Sequence, residues 1–245
     1  MSQSQKYQVW QSAELSKTFL EGVRGAIPLA AEQIDCLLRL IQLTQTKVDK
    51  FIDLGCGNGI LGKAILKLYP DAQGFFLDIS ETMLDAAKNS LGDRGANLSF
   101  ILEDFGDKKW IESVKKEAHF DVIVSGFSIH HQQNDRKKEI YQEIYDLLKP
   151  SGIFLNLEHV ASKSKLGEEA FDRLFVDALY GYHKNQGSTQ SREEIAQQYY
   201  NRNDKNANIL ESVILQCQWL EEIGFIDVDC YMKLFEIALF GGRKP

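Results

Sequence analysis

The chain has 245 residues and a formal charge of −7, from 28 lysines and arginines against 35 aspartates and glutamates. This length suits one globular domain with additions, and a hydrophobic content of 44% excludes global disorder. The acidic balance argues against broad contact with a nucleic-acid backbone. No apolar run reaches the roughly 20 residues of a membrane span, and the first residues lack a secretion signal. We therefore expect a cytoplasmic protein.

The cysteines do not form a metal-binding pattern. None of Cys36, Cys56, Cys217 and Cys230 belongs to a CxxC pair, which is the usual spacing of cysteine-based zinc sites. The sequence therefore predicts no metal site, and in a cytoplasmic chain we expect the thiols to stay reduced.

Short apolar runs alternate with helical stripes through the first two thirds of the chain. Apolar residues at helical spacing from Glu32 predict a first helix. Later helices are marked by Ser80, which can cap one, and by Pro150-Ser-Gly152, which should close another. Strands are predicted at 51–54, 75–77, 98–102, 120–124 and 153–157. Near-continuous apolar strands separated by helices indicate a parallel sheet covered on both faces.

The last third of the chain departs from this alternation. Residues 160–208 are polar and predict a partly helical cap, with its tyrosines in the core of the cap itself. Two final strands, at 226–231 and 235–240, are joined too tightly for a helical crossover and should pair antiparallel. The predicted fold class is α/β: a Rossmann-like, doubly wound sheet of seven strands, mostly parallel with an antiparallel C-terminal hairpin, plus the helical cap. We predict one domain over 1–245, with an N-terminal helical lid at 1–45 and the cap at 160–208.

A glycine-rich loop follows the first predicted strand, in Phe51-Ile-Asp-Leu-Gly-Cys-Gly-Asn-Gly59. Glycines let the backbone approach a ligand closely. Gly57–Gly62 matches GxGxxG, the dinucleotide fingerprint, and Asp78 lies 78 − 57 = 21 residues beyond Gly57, near the roughly 20 expected of a ribose-binding acid. In the other register Gly55 is the turn residue and Gly62 belongs to the helix. The glycines alone do not separate a nicotinamide site from an adenosyl site.

Acidic residues at the ends of successive strands favour the adenosyl site. Asp53 beside the loop suits a ligand that carries an ammonium or sulfonium group, and it would repel a pyrophosphate. Asp78 ends the second strand. Glu103-Asp104-Phe105 closes the third and adds an acid and an aromatic ring that could contact an adenine.

These motifs resemble those of class I S-adenosylmethionine-dependent methyltransferases. Phe51–Gly59 resembles the first motif of that family, Phe76–Asp78 the second and Glu103–Phe105 the third, and the resemblance covers about residues 48–160. It implies S-adenosylmethionine as the cofactor, S-adenosylhomocysteine (SAH) as the product, and methyl transfer to an acceptor that the sequence does not name.

The resemblance also implies a cofactor-binding role for each matching residue. The residues implied are Asp53, Gly55, Gly57 and Gly59 for the methionine part, Asp78 for the ribose hydroxyls, Ile79, Met83, Asp104 and Phe105 for the adenine, Ser125 and Phe127 for the floor near the sulfonium, and Arg24 for a clamp on the ligand's carboxylate. Plain core packing stays the alternative for Ile79, Met83 and Phe105, and a solvated helix end for Arg24.

Ser128-Ile-His130-His131 follows the fourth strand, at the predicted ligand edge. Methyl transfer requires the protein to align the nucleophile, exclude water and, where needed, remove a proton. His130 is the candidate catalytic residue because histidine titrates near neutrality; a histidine that only shapes the loop is the alternative. Glu158 faces the same edge. The run Arg136-Lys-Lys138 is expected to be a solvated helix start.

More than one function stays open on the sequence alone. The layout is also similar to that of carboxy-S-adenosylmethionine synthases, which serve wobble-uridine modification in tRNA. The arginine that this family uses against the extra carboxylate falls near Tyr199, so an ordinary methyl donor is favoured. An NAD-dependent oxidoreductase and a non-catalytic adenosyl-binding module stay open as well. We expect a small-molecule substrate and neither a nucleic acid nor a membrane as partner; a homodimer stays open.

Overall fold

The computed structural model describes residues 12–18, 24–92, 97–202, 205 and 207–245, without the side chains of Thr18 and Arg24. One sheet runs through these ranges. Its strands are β1 (Lys50–Leu54), β2 (Gln73–Asp78), β3 (Leu98–Leu102), β4 (Phe120–Gly126), β5 (Leu148–His159), β6 (Ile226–Leu234) and β7 (Ile237–Arg243). Their order is β3-β2-β1-β4-β5-β7-β6. β1 to β5 are parallel, and β7 is antiparallel to both of its neighbours.

Helices cover both faces of this sheet. They are α1 (Ala13–Thr18), α2 (Ala30–Thr44), α3 (Ile60–Leu68), α4 (Glu81–Leu91), α5 (Trp110–Val114), α6 (Asn134–Leu147), α7 (Lys165–Asn185), α8 (Arg192–Tyr200) and α9 (Val213–Ile223). Short 3-10 helices lie at Arg24–Ala26, Lys115–Glu117 and Ile129–His131. Within the described ranges, no helix combines the length and the apolar character that crossing a membrane requires.

Two hydrophobic layers hold the helices to the sheet. One contains Leu37 of α2 and Ile65 of α3, and the other contains Trp110 of α5 and Tyr141 of α6; all four side chains are fully buried. Burial of one large apolar side chain contributes about 1.5–3 kcal/mol, so these layers dominate the stability of the fold. Along β5 the side chains alternate between the layers, and the polar residues Asn156 and Glu158 are in phase with Phe154 on the α6 side.

The predicted fold class is confirmed, including the antiparallel pair at the end of the sheet. Several strands extend beyond their predicted ends, as β6 does to Leu234 and β7 to Arg243, and two of the wrong boundaries have an identifiable cause. Residues 150–152 lie inside β5 and do not follow α6, because Ser151 N donates to Lys244 O (2.9 Å) and this pairing with the chain end outweighs the local turn signal. Phe235 belongs to the turn between β6 and β7, since β7 begins at Ile237.

Helices α7 and α8 pack on each other around a small core of their own. Tyr199 stacks on Phe175, with ring centroids 5.5 Å apart, and its hydroxyl donates to Asp172 Oδ1 at 2.8 Å. The expectation that the tyrosines form this core holds for Tyr199, whereas Tyr200 is 43% exposed. The division into a lid at 1–45 and a cap at 160–208 stays a prediction; residues 1–11 and 19–23 lie outside the described part of the chain.

Gly62 lies in α3, against two buried aromatic rings. A Cβ at this position would sit 2.2 Å from Phe76 Cε1 and 3.0 Å from Phe51 Cε2, and both rings are fully buried. We expect Gly62→Ala to lower the free energy of unfolding by about 2–3 kcal/mol in chemical denaturation, because overpacking exceeds the helix-propensity gain of about 1 kcal/mol. The matched control is Gly181→Ala in α7, whose Cβ would meet nothing within 4 Å and which should gain about 1 kcal/mol of helix propensity. Equal changes in the two variants would contradict the packing role of Gly62.

Candidate active site

The glycine loop lies at the carboxyl edge of the sheet, where β1 and β4 sit side by side and the strand order reverses. Gly55, Gly57 and Gly59 have φ values of 66°, 53° and 73°, in the left-handed region that glycine adopts readily. Gly62 N donates to Asp53 Oδ2 at 2.9 Å, which ties the first turn of α3 to β1. Gly55 is therefore the turn glycine and Gly62 a helical residue. The contact seen for Asp53 supports the loop itself, and its role toward a methionine ammonium stays a prediction.

Asp78 joins the glycine loop to the end of β2. Its Oδ2 accepts from Gly57 N and its Oδ1 from Ser80 N, both at 2.9 Å. Burial raises the pKa of Asp78 to about 6, although these backbone hydrogen bonds act in the opposite direction. The Ile79 N–H also acts on this carboxylate; a carboxylate offers about four lone-pair positions, so at least one remains for a ribose hydroxyl. A Cβ on Gly57 would meet nothing within 4 Å, so the loop leaves space beside this acid and the arrangement fits an adenosyl ligand.

The N-terminal segment, predicted to form part of a lid, reaches the same place through contacts that the sequence did not predict. In α1, Ser16 Oγ lies 3.0 Å from Ser80 Oγ, and both serines are buried. Further along, Gly25 packs against the ring of Tyr182 in α7, so closely that a Cβ would be 2.2 Å from Cε2. The segment therefore contacts the neighbourhood of Asp78 at one end and α7 at the other.

The residues predicted to contact the adenine follow β2 and β3. Ile79 is half-buried and Met83 is buried in the first turn of α4, whose cap is Ser80. Asp104 Oδ1 accepts from Gly106 N at 2.7 Å. Phe105 is buried in the core, and its Cε1 atom lies 3.3 Å from where a Cβ on Gly55 would be. The structure gathers these side chains at one edge of the sheet, and their roles toward an adenine stay predictions.

The predicted floor of the site is formed at the end of β4. Ser125 is fully buried and its hydroxyl donates to Leu54 O at 2.8 Å, within the sheet. Phe127 has a positive φ of 52° and its N–H donates to Leu157 O at 2.8 Å. Arg24 begins the 3-10 helix Arg24–Ala26, but its side chain lies outside what the structure describes. These three positions also stay predicted cofactor contacts.

His130 and Glu158 form a buried pair at the same edge. Nδ1 of His130 lies 2.5 Å from Glu158 Oε1, and the backbone N–H of His130 donates to Oε2 at 3.0 Å. His130 is 6% exposed and Glu158 is 1% exposed. The carboxylate therefore holds both the ring and the backbone of His130. When Glu158 is ionised, this contact favours the tautomer with the imidazole hydrogen on Nδ1, in which Nε2 is the basic nitrogen.

Burial governs the protonation of this pair. It lowers the pKa of His130 well below its usual range, and the charges of His159, Lys137 and Arg202 act in the same direction. Burial also raises the pKa of Glu158. The N–H groups of His159 and His130 and the charge of Lys137 stabilise the carboxylate and so lower this pKa. At neutral pH the imidazole is uncharged, as a proton acceptor must be.

Two more histidines surround His130. The His131 ring centroid lies 3.9 Å away and that of His159 lies 5.7 Å away. His159 Nε2 is 3.0 Å from Glu236 Oε2, and its ring lies 5.0 Å from that of Phe171 in α7. A second histidine–carboxylate pair therefore sits between His130 and α7.

Residues 207–212, named here the returning segment, bring the chain back from α8 to α9 across the His130 loop. Ile209 N donates to His130 O at 2.9 Å, and His131 Nδ1 lies 3.2 Å from Ala207 O. The Asn208 side chain raises the pKa of His130, against the effect of burial. The position of His130 thus depends on the segment that leads out of α8.

The expectation of a solvated run at residues 136–138 is wrong for two of its three members. Arg136 is 9% exposed and Lys137 is 1% exposed, whereas Lys138 is exposed. Arg136 Nη2 donates to Phe105 O at 2.7 Å and to Glu143 Oε2 at 2.8 Å. Arg136 therefore anchors α6 to the residue that follows β3, and both buried cations were missed as parts of the site.

Comparisons with known proteins agree with this geometry. Residues 51–152 match the family described as methyltransferase domain. A carboxy-S-adenosyl-L-methionine synthase from Nautilia profundicola is 24% identical over 229 residues, which cover 93% of this chain and 91% of that protein. Malonyl-[acyl-carrier protein] O-methyltransferase 1 from Ilyobacter polytropus is 36% identical over 101 residues, which cover 41% of this chain and 34% of that protein.

Solved structures share the fold. PigF, solved with SAH, superposes with a TM-score of 0.62 at 18% identity, over 97% of this chain and 61% of the PigF chain. An identity this low shows the fold alone. The shared fold agrees with the strand order, the glycine loop and the matched methyltransferase domain. Residues 51–152 match a methyltransferase domain, and these similarities together support a class I S-adenosylmethionine-dependent methyltransferase with S-adenosylmethionine as its cofactor.

Proposed function

We propose that the protein transfers a methyl group to a heteroatom of a small-molecule acceptor, and that His130 takes the proton that this atom loses. The observation that carries the proposal is the buried contact of 2.5 Å between His130 Nδ1 and Glu158 Oε1. A neutral imidazole in a fixed tautomer suits an acceptor whose hydroxyl or amine gives up a proton as the new bond forms. An acceptor atom that carries no proton to lose would not need a general base.

When bound, S-adenosylmethionine supplies a methyl group activated by the positive charge on sulfur. Asp78 and the backbone of Gly57 hold the nucleoside, and Asp53 keeps the loop in place through Gly62. His130 Nε2 accepts the proton of the acceptor, and Glu158 stabilises the imidazolium that results. Burial excludes water from the pair and so strengthens the interaction of the two charges.

A small acceptor is supported by charge and by the position of α7. The net charge of −7 disfavours a polyanionic nucleic acid. Phe171 of α7 packs within 5.0 Å of the His159 ring, so α7 covers the end of β5 next to His130. A site under a helix suits an enclosed ligand. The similarity to the malonyl-[acyl-carrier protein] O-methyltransferase covers only 41% of this chain.

Two measurements test the proposal. Calorimetry should show binding of SAH and no binding of NAD. Turnover should then be sought with S-adenosylmethionine that carries a labelled methyl group, against a panel of small hydroxyl, amine and carboxyl acceptors. Transfer that requires His130 supports the proposal. Transfer to none of these while carboxylated cofactor accumulates would overturn it in favour of the second candidate.

That second candidate is synthesis of carboxy-S-adenosylmethionine. It is favoured by the similarity to such a synthase over 93% of the chain, far beyond the matched domain. Against it stands Tyr199, near the position of the arginine that the synthases use. The Tyr199 hydroxyl donates to Asp172, and the Arg202 guanidinium lies 4.2 Å from the centre of its ring. Mass spectrometry of the nucleoside released from the purified protein distinguishes the two: SAH for methyl transfer, carboxy-S-adenosylmethionine for the synthase.

A further inference from the structure

Lys137 is a buried cation that is linked to His130 through Ile209, whose O accepts from Lys137 Nζ and whose N–H donates to His130 O. It lies in α6 with 1% of its surface exposed. Its Nζ atom donates to Asn134 Oδ1 at 3.1 Å and to Ile209 O in the returning segment. Both partners are neutral oxygens, so they orient the ammonium without cancelling its charge.

Charged groups on neighbouring elements act on the Lys137 ammonium or on the His130–Glu158 pair. The carboxylates that attract Lys137 are Glu158 of β5 and Glu211 of the returning segment. His130 is exposed to the charges of His159 and Arg202 as well as to that of Lys137, and His131 acts on both His130 and Glu158. Burial lowers the pKa of Lys137 to about 8, so the ammonium form prevails at neutral pH.

We propose that Lys137 is a positioning residue that acts through Glu158: its buried ammonium keeps the carboxylate anionic, and the carboxylate in turn holds His130 as a neutral imidazole with its hydrogen on Nδ1. The proposal rests on the proposed function of His130. It assigns Lys137 a part in the site although it is not placed to touch the cofactor or the acceptor.

Local charge balance gives Lys137 this role. An anionic Glu158 beside a neutral His130 leaves one net negative charge in a site from which water is excluded, and such a charge persists only with a nearby cation or several hydrogen bonds. The N–H groups of His130 and His159 supply hydrogen bonds, and Lys137 supplies the cation. Without it the pair would take up a proton at higher pH, either on the carboxylate or on the imidazole. With the proton on the carboxylate, His130 Nε2 would be a poorer base. With the proton on the imidazole, Nε2 would already carry a hydrogen.

The test is a titration of histidine side chains by NMR, with nitrogen-labelled histidine and without any acceptor. Wild type should show His130 neutral with the hydrogen on Nδ1 from pH 6 to pH 8. In Lys137→Gln, which keeps a hydrogen-bond donor for Ile209 but loses the charge, the midpoint of proton uptake should rise by about one pH unit or more. Lys138→Gln, a change at the exposed neighbour, is the matched control and should titrate as wild type does.

An unchanged His130 tautomer and midpoint in folded Lys137→Gln would overturn the proposal. If that variant does not fold, carboxyl-carbon NMR of the wild type decides, because Glu158 must be anionic at pH 7; a protonated Glu158 would overturn the proposal too. Neither readout needs turnover, so a failed acceptor screen leaves this result standing. Conversely, turnover that depends on His130, together with an unchanged titration, would support the proposed function and reject the role of Lys137.

Discussion

Asp78→Asn is expected to weaken SAH binding by roughly 10- to 150-fold, which corresponds to about 1.5–3 kcal/mol for hydrogen bonds to a charged group. The carboxylate is buried, it accepts from Gly57 N and Ser80 N, and it is the acid nearest the open space beside Gly57. The amide keeps the shape of the side chain but loses the charge and one acceptor. Calorimetry with SAH measures the change. The matched control is Asp71→Asn, an exposed acid at the opposite end of β2, which should bind as wild type does.

The same residue predicts a pH dependence of binding. The pKa of Asp78 is about 6 in the free protein, so below pH 6 the carboxyl group is protonated and must release its proton when it binds the ribose. Affinity for SAH should therefore fall by about tenfold for each pH unit below 6, since one unit corresponds to 1.36 kcal/mol. In Asp78→Asn the dependence should disappear. A wild-type affinity that is constant from pH 7.5 to pH 5 would contradict the assignment of Asp78 to the ribose.

Stability should follow the opposite trend in the free protein. The pKa of Asp78 is raised above the ordinary value of 3.8, so protonation favours the folded state; this contribution is fully present below pH 3.8 and is lost as the pH rises through 6. The ionised carboxylate thus destabilises the free protein at pH 7, where SAH binds best. The rise in melting temperature caused by SAH should accordingly be larger at pH 7.5 than at pH 5.5.

His130→Gln is expected to lower turnover by about 10²- to 10⁴-fold with the acceptor found in the screen, because a positioned general base contributes that much. Binding of SAH should change little, since His130 follows β4 whereas Asp78 and the glycine loop follow β2 and β1. The control is His119→Gln, an exposed histidine just before β4, at the opposite end of that strand. Turnover equal to wild type in His130→Gln would assign the histidine to shaping the loop.

Glu158→Gln should produce a loss of similar size through a different route. The amide can donate to Nδ1 and so favour the tautomer with its hydrogen on Nε2, which cannot accept a proton there. A combined variant of His130 and Glu158 should lose no more than either alone, because the two residues act as a unit. Additive losses would show that Glu158 has a separate role in binding the acceptor.

The fold was predictable because its signals are local and repeated. Apolar runs, helical stripes and the glycine loop each follow from neighbouring residues, and the acid at the end of β2 follows from the parallel direction of the strands. The start of β5 was missed because Pro150-Ser-Gly152 carries a strong turn signal, whereas its strand pairing depends on residues about 90 positions later.

The cation beside the catalytic pair was missed for a different reason. Three consecutive basic residues favour a solvated surface, but the phase of the helix turns two of them inward. Lys137 precedes Ile140, Tyr141 and Ile144 by three, four and seven residues, the spacing of one helix face. That phase would have placed Lys137 inside. Its partners Glu158 and Ile209 lie on other elements and could not be found from the local pattern.

The contacts of the N-terminal segment have a thermodynamic consequence. Ser16 contacts Ser80 beside the nucleoside acid, and Gly25 contacts Tyr182 of the helix that covers the acceptor end. These contacts join the nucleoside end of the site to the acceptor end, so any coupling between the two ligands is one free energy shared by both sites. Linkage then requires reciprocity: the factor by which SAH tightens an acceptor equals the factor by which that acceptor tightens SAH. Unknown acceptors can therefore be ranked by their effect on SAH affinity alone, before a single turnover is observed.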